Sequence, residues 1–486
     1  MLPYKSLIQV DRTSTVSLHI QVCNGFMMLI SNGSLLPSTM LPSSRVLADL
    51  IGIHRNTVKL AYEELISQGW ADSVPRKGIF VLSKLPAIVR RRSAVVKDEV
   101  RQNESFNWTN RFTEAIPSRN LQTSVLTIDD GFPDVRLTPI DELMREYRSI
   151  SRKSYGRNFL KYGSSKGSGQ LRASIAHYLY HTRGITVSPE NVLITKGSQM
   201  GIYLASRLLL DKGEHIAVGL SNYLLSDNTF LHHGAKLVRI PMDDHGMDID
   251  YLEKVLKRKK IKAVYVIPHH HCPTTVTMSM ERRLKLLDLA RKYRFAIIED
   301  DYDFDFHYEN KPYLPLASID HHQNVIYIGS VTKTVAPALR IGFMIGPPQF
   351  INAAAALREL IDKQGDTVLE EAFAVMFDNG EMERYFRKSL KVYKERRDLF
   401  CKVLRSDFSD AIKFSVPEGG LAIWAVFNKK IDLAKLCQRA IKAGLSIDDG
   451  IFYCNESFDA NGIRMGFASL KEDEILTALG KLRQVI

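Results

Sequence analysis

The sequence predicts a multidomain chain: a small N-terminal α+β unit of the winged helix-turn-helix kind, then a larger α/β body. Three observations carry that prediction. The 486 residues suffice for about three folding units of roughly 150 residues each. Residues 17–81 read as short helices followed by a hairpin, and the second half alternates apolar runs with helical stretches. Between them lies a segment without periodicity.

Composition bounds the function. With 45% hydrophobic and 25% charged residues the chain is ordinary for a globular protein. The longest apolar stretches, "IKAVYVIP" and "RFAIIED", fall short of the roughly 18 to 20 residues a membrane helix needs. The opening "MLPYKSLIQVDRTSTV" lacks the layout of a signal peptide, so a cytoplasmic protein with no membrane partner is expected. Cys23, Cys272, Cys401, Cys437 and Cys454 are odd in number and show no zinc spacing; neither a disulfide framework nor a metal site is expected. The net charge of +12 fits an anionic partner, since basic surface releases counterions from a phosphate backbone.

Taken in order, "SLHIQVCNGFMMLISN" (17–32) has helical spacing and stops at the turn-rich "NGSLLPST". In "LPSSRVLADLIGIHRNTVKLAYEELISQGW", Ser43 and Ser44 can cap a short helix through about Leu50, Gly52 turns, and a longer helix restarts and ends at Gly69. That is the helix-turn-helix order. "ADSVPRKGIFVLS" reads as two short strands with Arg76 and Lys77 at the tip, a wing. The first turns of the second helix offer His54, Arg55, Asn56, Thr57 and Lys59, which can donate to base edges or phosphates of duplex DNA. Together with "PRKGIFV" this segment resembles the winged helix of GntR-type bacterial transcription regulators. The resemblance implies a double-stranded DNA operator as partner and adds Ser43, Ser44 and Arg45 of the "LPSSR" motif to the DNA-binding set. The expected division is a DNA-binding domain at 1–82 and a linker at 83–124.

Beyond the linker the strands "NVLIT", "HIAVG", "AVYVIP", "FAIIED" and "NVIYIG" alternate with helical stretches such as "GQLRASIAHYLYHTR" and "SMERRLKLLDLARKY". Continuous apolar strands separated by helices predict a mainly parallel sheet covered on both faces. Three features lie at strand ends, where ligands bind in such sheets. Gly197, Ser198 and Gln199 open a helix after "NVLIT", which favours an anion. "FAIIEDDYDFDFHY" runs into Asp300, Asp301 and Tyr302, and "YIGSVTKTVAPALRIGF" supplies Ser330, Lys333 and Arg340. A lysine for a Schiff base, an acid for a ring nitrogen and donors for a phosphate meet the needs of pyridoxal 5'-phosphate.

From about Ser124 to its end the chain resembles the fold-type I aminotransferases, and the combination with a GntR-like N-terminus resembles MocR-type regulators. The resemblance implies an α/β large domain and a smaller α+β C-terminal domain, placed here at 125–486 with the small part from approximately 345. It implies Lys333 as the catalytic Schiff-base lysine and Ser330, Arg340, Gly197, Ser198 and Gln199 around the phosphate. Asp300 would meet the pyridinium nitrogen, Tyr302 the phenolic oxygen, and Tyr223 would stack on the ring. Asp300 is chosen over Asp301 because it shares a strand face with Tyr302. "NGIRMGFAS" makes Arg464 the expected clamp for the carboxylate of an amino-compound effector or substrate.

Two departures weaken turnover more than cofactor binding. "HHHCPTTV" puts Cys272 where the family has an asparagine that donates to the phenolic oxygen; His270, which matches a histidine of MocR-type chains, or His271 could fill the gap, a packing role for either being the alternative. "VGLSNYLLSD" puts Leu225 where some of these regulators carry arginine. The expected function is therefore a regulator that binds pyridoxal phosphate and DNA, the alternative being a working aminotransferase with an appended DNA-binding domain. The resemblance also implies a homodimer, with a head-to-tail, domain-swapped arrangement as similar regulators show.

Overall fold

The computed structural model describes residues 3–83, 126–308, 313–320, 323–331, 333–454, 458 and 460–486. Except for Ser83, the expected linker lies outside the described residues. The chain divides into two compact units, Met1–Thr109 and Asn110–Ile486.

The first unit contains α1 (Tyr4–Leu7), α2 (Leu18–Ser31), α3 (Ser44–Ile51), α4 (Arg55–Ser67) and the hairpin β1 (Ala71–Val74) and β2 (Gly78–Val81). Ser43 caps α3 by accepting from the Val46 N–H, and Gly52, at φ +68°, ends it. His54 Nδ1 accepts from the Asn56 N–H and so caps α4. Phe26, Leu47, Val58, Tyr62 and Leu65 form the core, and the Tyr62 hydroxyl donates to the Pro42 carbonyl at 2.7 Å. The antiparallel register pairs Ala71 with Val81 and Val74 with Gly78, leaving Pro75, Arg76 and Lys77 at the tip.

The second unit begins with β3 (Leu126–Thr127), α5 (Ile140–Arg152), α6 (Gly169–Arg183), β4 (Val192–Thr195) and α7 (Ser198–Leu209). There follow β5 (His215–Gly219), α8 (Leu224–His232), β6 (Lys236–Ile240), the small hairpin β7 (Met242–Asp243) and β8 (Gly246–Met247), and α9 (Ile249–Leu256). Next come β9 (Ala263–Val266), α10 (Met280–Tyr293), β10 (Ala296–Asp301), α11 (Leu316–Ile319), β11 (Val325–Ser330) and β12 (Gly342–Ile345). Seven of these strands make one sheet in the order β4-β12-β11-β10-β9-β5-β6. It is parallel except for β12, which runs antiparallel to both neighbours. All five strands expected from the sequence are present. β6 and β12 extend the sheet; β12 is only four residues long and β6 is half exposed, so neither shows a long apolar run.

Alternate residues serve opposite faces. Ile298 packs with Ile202 of α7 and Phe230 of α8, whereas Ile297 packs with Leu286 of α10. The remaining elements are α12 (Pro348–Ile361), α13 (Thr367–Asp378), α14 (Glu381–Asp407), β13 (Ile412–Lys413), β14 (Ala422–Phe427), α15 (Leu433–Lys442), β15 (Leu445–Ser446), β16 (Gly462–Gly466) and α16 (Glu472–Val485). β13, β14 and β16 form a three-stranded antiparallel sheet with its own core.

That smaller core starts later than residue 345. Ile351 and Ala354 pack with the large sheet, as do Met382 and Tyr385 at the start of α14, and from Leu390 onward α14 packs on the smaller core. The beginning of the body belongs there too, since β3 pairs parallel with β15 and Ile128 is buried in the smaller core.

Candidate functional site

Lys333 stands three residues beyond β11, at the carboxyl edge of the sheet. Its backbone N–H donates to Ser330 Oγ at 3.4 Å, and its ammonium lies 4.7 Å from the Phe132 ring centroid and 5.6 Å from that of Tyr302. On the neighbouring strand Asp300 is buried, and its Oδ2 accepts from the Tyr265 hydroxyl at 2.7 Å. Its Oδ1 is buried with no hydrogen-bond partner among the described residues. Burial pushes the Asp300 carboxyl up to about 7, against the Tyr265 hydrogen bond and the Lys333 charge, which pull it down. Asp301 turns to the opposite face and accepts from Tyr327, so Asp300 is the acid that shares a face with Tyr302.

The anion turn is built around Gly197, which leads into α7 at φ +76°. A Cβ there would lie 2.8 Å from Arg340 Nη2, so the guanidinium fills the space that any other residue would occupy. Arg340 Nη2 also donates to the Lys196 carbonyl at 2.7 Å. Ser198 begins the helix with its hydroxyl free of hydrogen bonds among the described residues, and Ser330 is buried close to Lys333. The Gln199 side chain is tied away to Thr229 Oγ1 at 2.8 Å, so at this position the backbone N–H is the available donor.

Tyr302 and His270 meet each other in the structure. The Tyr302 hydroxyl donates to the His270 carbonyl at 2.8 Å, and the His270 ring points to Asp303, Nδ1 to Oδ1 at 2.9 Å. The imidazole therefore packs in a polar knot, and the carbonyl is what His270 offers to Tyr302. Cys272 is half-buried, packed with Tyr223 against the core beneath the site.

Arg464, on β16, is buried and has no ion pair among the described residues. Its guanidinium donates to the carbonyls of Asp130, His271 and Pro273, at 3.0, 3.4 and 3.3 Å. Among the described residues its hydrogen bonds run to carbonyls alone, with the Asp130 charge acting on it from nearby. Gly131, at φ +100°, keeps the space beside it open: a Cβ there would be 3.4 Å from Arg464 Nη2.

In the first unit His54, Arg55, Asn56 and Lys59 are exposed along the start of α4, with Thr57 half-buried. Arg55 Nε donates to Ser44 Oγ at 3.3 Å, linking the two helices of the motif, and Arg45 is exposed. Ser43 and His54 are occupied as helix caps. Arg76 and Lys77 are exposed at the wing tip, Arg76 at φ +64°.

Sequence reasoning missed Tyr265, Phe132 and Asp303. In the sequence Tyr265 is one more residue of the apolar strand "AVYVIP". Phe132 sits in "GFPDVRLTP", whose loop is shaped by Asp129 accepting from the N–H groups of Gly131 and Phe132 at 2.8 and 3.0 Å. The cluster fits pyridoxal phosphate on three counts: an unpartnered buried carboxylate oxygen, a glycine turn covered by an arginine, and a lysine whose ammonium meets ring faces.

Comparisons with known proteins agree with this geometry. Residues 132–482 match the aminotransferase class I and II family, and residues 21–81 match the gntR family of bacterial regulatory proteins. The chain is 29% identical over 471 residues to the uncharacterized HTH-type transcriptional regulator YisV of Bacillus subtilis, covering 97% of this chain and 96% of that one. It is 26% identical over 480 residues to the probable rhizopine catabolism regulatory protein MocR of Rhizobium meliloti, covering 98% and 95%. The crystal structure of Pyrococcus horikoshii kynurenine aminotransferase matches with a TM-score of 0.69 at 31% identity, covering 75% of this chain and 90% of that one. The chain belongs to the aminotransferase class I and II family and joins that domain to a gntR-family helix-turn-helix, the architecture of MocR-type regulators.

Proposed function

We propose that this protein is a DNA-binding transcription regulator whose aminotransferase-like body binds pyridoxal 5'-phosphate at Lys333 and senses an amino compound. The observation that carries the reading is Asp300 Oδ1, a buried carboxyl oxygen on the same strand face as Tyr302 that has no hydrogen-bond partner among the described residues. Lys333 would hold the cofactor covalently, Asp300 its ring nitrogen, and Ser198, Ser330, Arg340 and the N–H groups opening α7 its phosphate. Tyr223 would lie against the ring. Bound there, the group supplies an electrophilic carbon for amines and a sink for electrons. Arg464, whose hydrogen bonds among the described residues go to carbonyls, would orient the carboxylate of the amine.

In the other unit, α4 would enter the major groove with Arg55, Asn56 and Lys59 foremost, and Arg76 and Lys77 of the wing would reach phosphates. A homodimer is part of this reading. Leu160, Tyr162, Leu360 and Ile361 are exposed apolar residues, and Lys363 Nζ lies 5.7 Å from the Tyr162 ring centroid, which joins the two segments in one patch. A second copy is the occupant the family architecture implies, with two winged helices meeting two half-sites in a head-to-tail pair. For a regulator the coupling requires the ligand to bind one arrangement of the dimer better than another. Among the described residues no helix is long and apolar enough to cross a membrane, and a protein that binds chromosomal DNA would work in the cytoplasm.

The test has two parts. Reconstituted protein should show a visible absorbance band that borohydride abolishes, with the modified peptide containing Lys333. Gel shifts on the operator should differ between apo, holo and Lys333→Ala protein. Identical shifts in all three would refute the sensing role. Complete turnover of an amino acid with a keto acid would instead favour a working aminotransferase.

A further inference from the structure

Helix α6 carries His177 and His181 at the i, i+4 spacing that sets two side chains on one face. Both are exposed, whereas Leu171, Ile175 and Leu179 of the same helix are buried with Val192 and Ile194 of β4. The two Nε2 atoms lie 3.0 Å apart, and the ring centroids 4.3 Å apart. Tyr180 meets the His181 ring edge-on, with centroids 5.1 Å apart. The backbone beneath the pair is fixed at both ends: Ser168 caps the helix by accepting from the Leu171 N–H at 3.1 Å, and Gly184, at φ +67°, closes it.

We propose that His177 and His181 form a surface site for a borderline divalent cation of the Zn²⁺ class. Imidazole nitrogen suits Zn²⁺, Ni²⁺ and Cu²⁺, whereas Mg²⁺ and Ca²⁺ take oxygen ligands. Two Zn–N bonds of about 2.0–2.1 Å at a tetrahedral angle set the nitrogens about 3.3 Å apart, so the pair has to open by only about 0.3 Å to admit the ion. Because the helix holds both side chains at that spacing beforehand, little ordering entropy is lost on binding. In the contact as it stands one Nε2 donates its hydrogen to the other. When the ion enters, the donor ring exchanges that hydrogen through solvent for one on Nδ1, and both rings ligate as neutral imidazoles. Among the described residues no third histidine, cysteine or carboxylate joins them, so the remaining positions of a tetrahedral ion fall to water. The ion would clamp the last turns of α6, from which Arg183 reaches inward to Asp305 and Tyr327. The expectation of no metal site rests on cysteine spacing, which does not bear on a helical histidine pair.

The test is a titration of the full-length protein with Zn²⁺ in competition with a chromophoric chelator, with no free pyridoxal phosphate in the buffer to bind the ion itself. His177→Ala and His181→Ala should each weaken binding at least about tenfold, since even an outer-shell partner of a metal is worth about 10- to 100-fold in affinity. Both replacements put the best helix former at an exposed helical position, so the variants fold and the loss reports the ligand. His232→Ala, at another exposed histidine, should bind as wild type does, and excess Mg²⁺ should not compete. X-ray absorption at the zinc edge of the equimolar complex should show imidazole nitrogen at about 2.0–2.1 Å. An affinity unchanged in either His177→Ala or His181→Ala, or a first shell of sulfur in place of imidazole, overturns the proposal.

Discussion

Replacing Gly197 by alanine separates two contributions that coincide at the anion turn. The residue has φ +76° and ψ 174°, a combination essentially confined to glycine, where a side chain costs about 1–3 kcal/mol. In a body of this size that corresponds to a thermal midpoint lowered by about 1–4 °C. The new Cβ would also lie 2.8 Å from Arg340 Nη2 and 3.0 Å from its Cζ and Nη1. Arg340 is exposed, so displacing its guanidinium costs the fold little, but the displacement removes a cation from the start of α7. A charge-assisted hydrogen bond is worth about 1.5–3 kcal/mol, which at 1.4 kcal/mol per decade is roughly a 10- to 150-fold loss of affinity for the phosphate group. Gly213→Ala is the control, because Gly213 has φ +88° with nothing within 4 Å of its Cβ position. Thermal unfolding of the apo proteins and titration with pyridoxal phosphate measure the two terms. Both variants should lose similar stability, and only Gly197→Ala should lose affinity. Equal affinities would refute the assignment of Arg340 to the phosphate.

Two further outcomes follow from charge. Burial pushes Asp300 up to about 7, well above an unfolded aspartate near 4, so between those values the native protein holds a proton that the unfolded chain has released. That contribution to stability is present at about pH 4 and is lost as pH rises through about 7; Asp300→Asn should therefore gain on wild type across this window in denaturant unfolding of the apo protein, and a constant difference would contradict the shift. The comparison cancels the opposite trend from His271, which burial holds down at about 3 and which disfavours folding below the usual histidine range. On DNA, Lys59→Ala at the exposed start of α4 should weaken binding to all sequences and lower the slope of log affinity against log salt by about one. An unchanged slope would remove Lys59 from the phosphate contacts.

Reading the sequence succeeded where side-chain identity and short-range spacing decide the structure. Ser43 and Gly52 bound α3 as their chemistry requires, and strand alternation alone puts Asp300 and Asp301 on opposite faces, as their partners Tyr265 and Tyr327 show. It could not see Tyr265 against Asp300, because that contact depends on β9 lying beside β10 in the sheet order. Nor could it see what His270 does, since its partner Asp303 comes from another segment and its working atom is a carbonyl. The same limit applies to the rest of the site. Arg464 is held by the carbonyls of Asp130, His271 and Pro273, and Arg340 by that of Lys196. Carbonyl oxygens are common to every residue type, so the lettering of "HHHCP" reports the lost asparagine and conceals three of the contacts that the segment makes. The substitution to Cys272 thus removes a side-chain donor while the backbone still serves Tyr302 and Arg464. On the proposed reading, that combination would keep the fixed geometry for an amine with a carboxylate and lower the donor capacity at the cofactor's phenolic oxygen, a balance that suits sensing more than turnover.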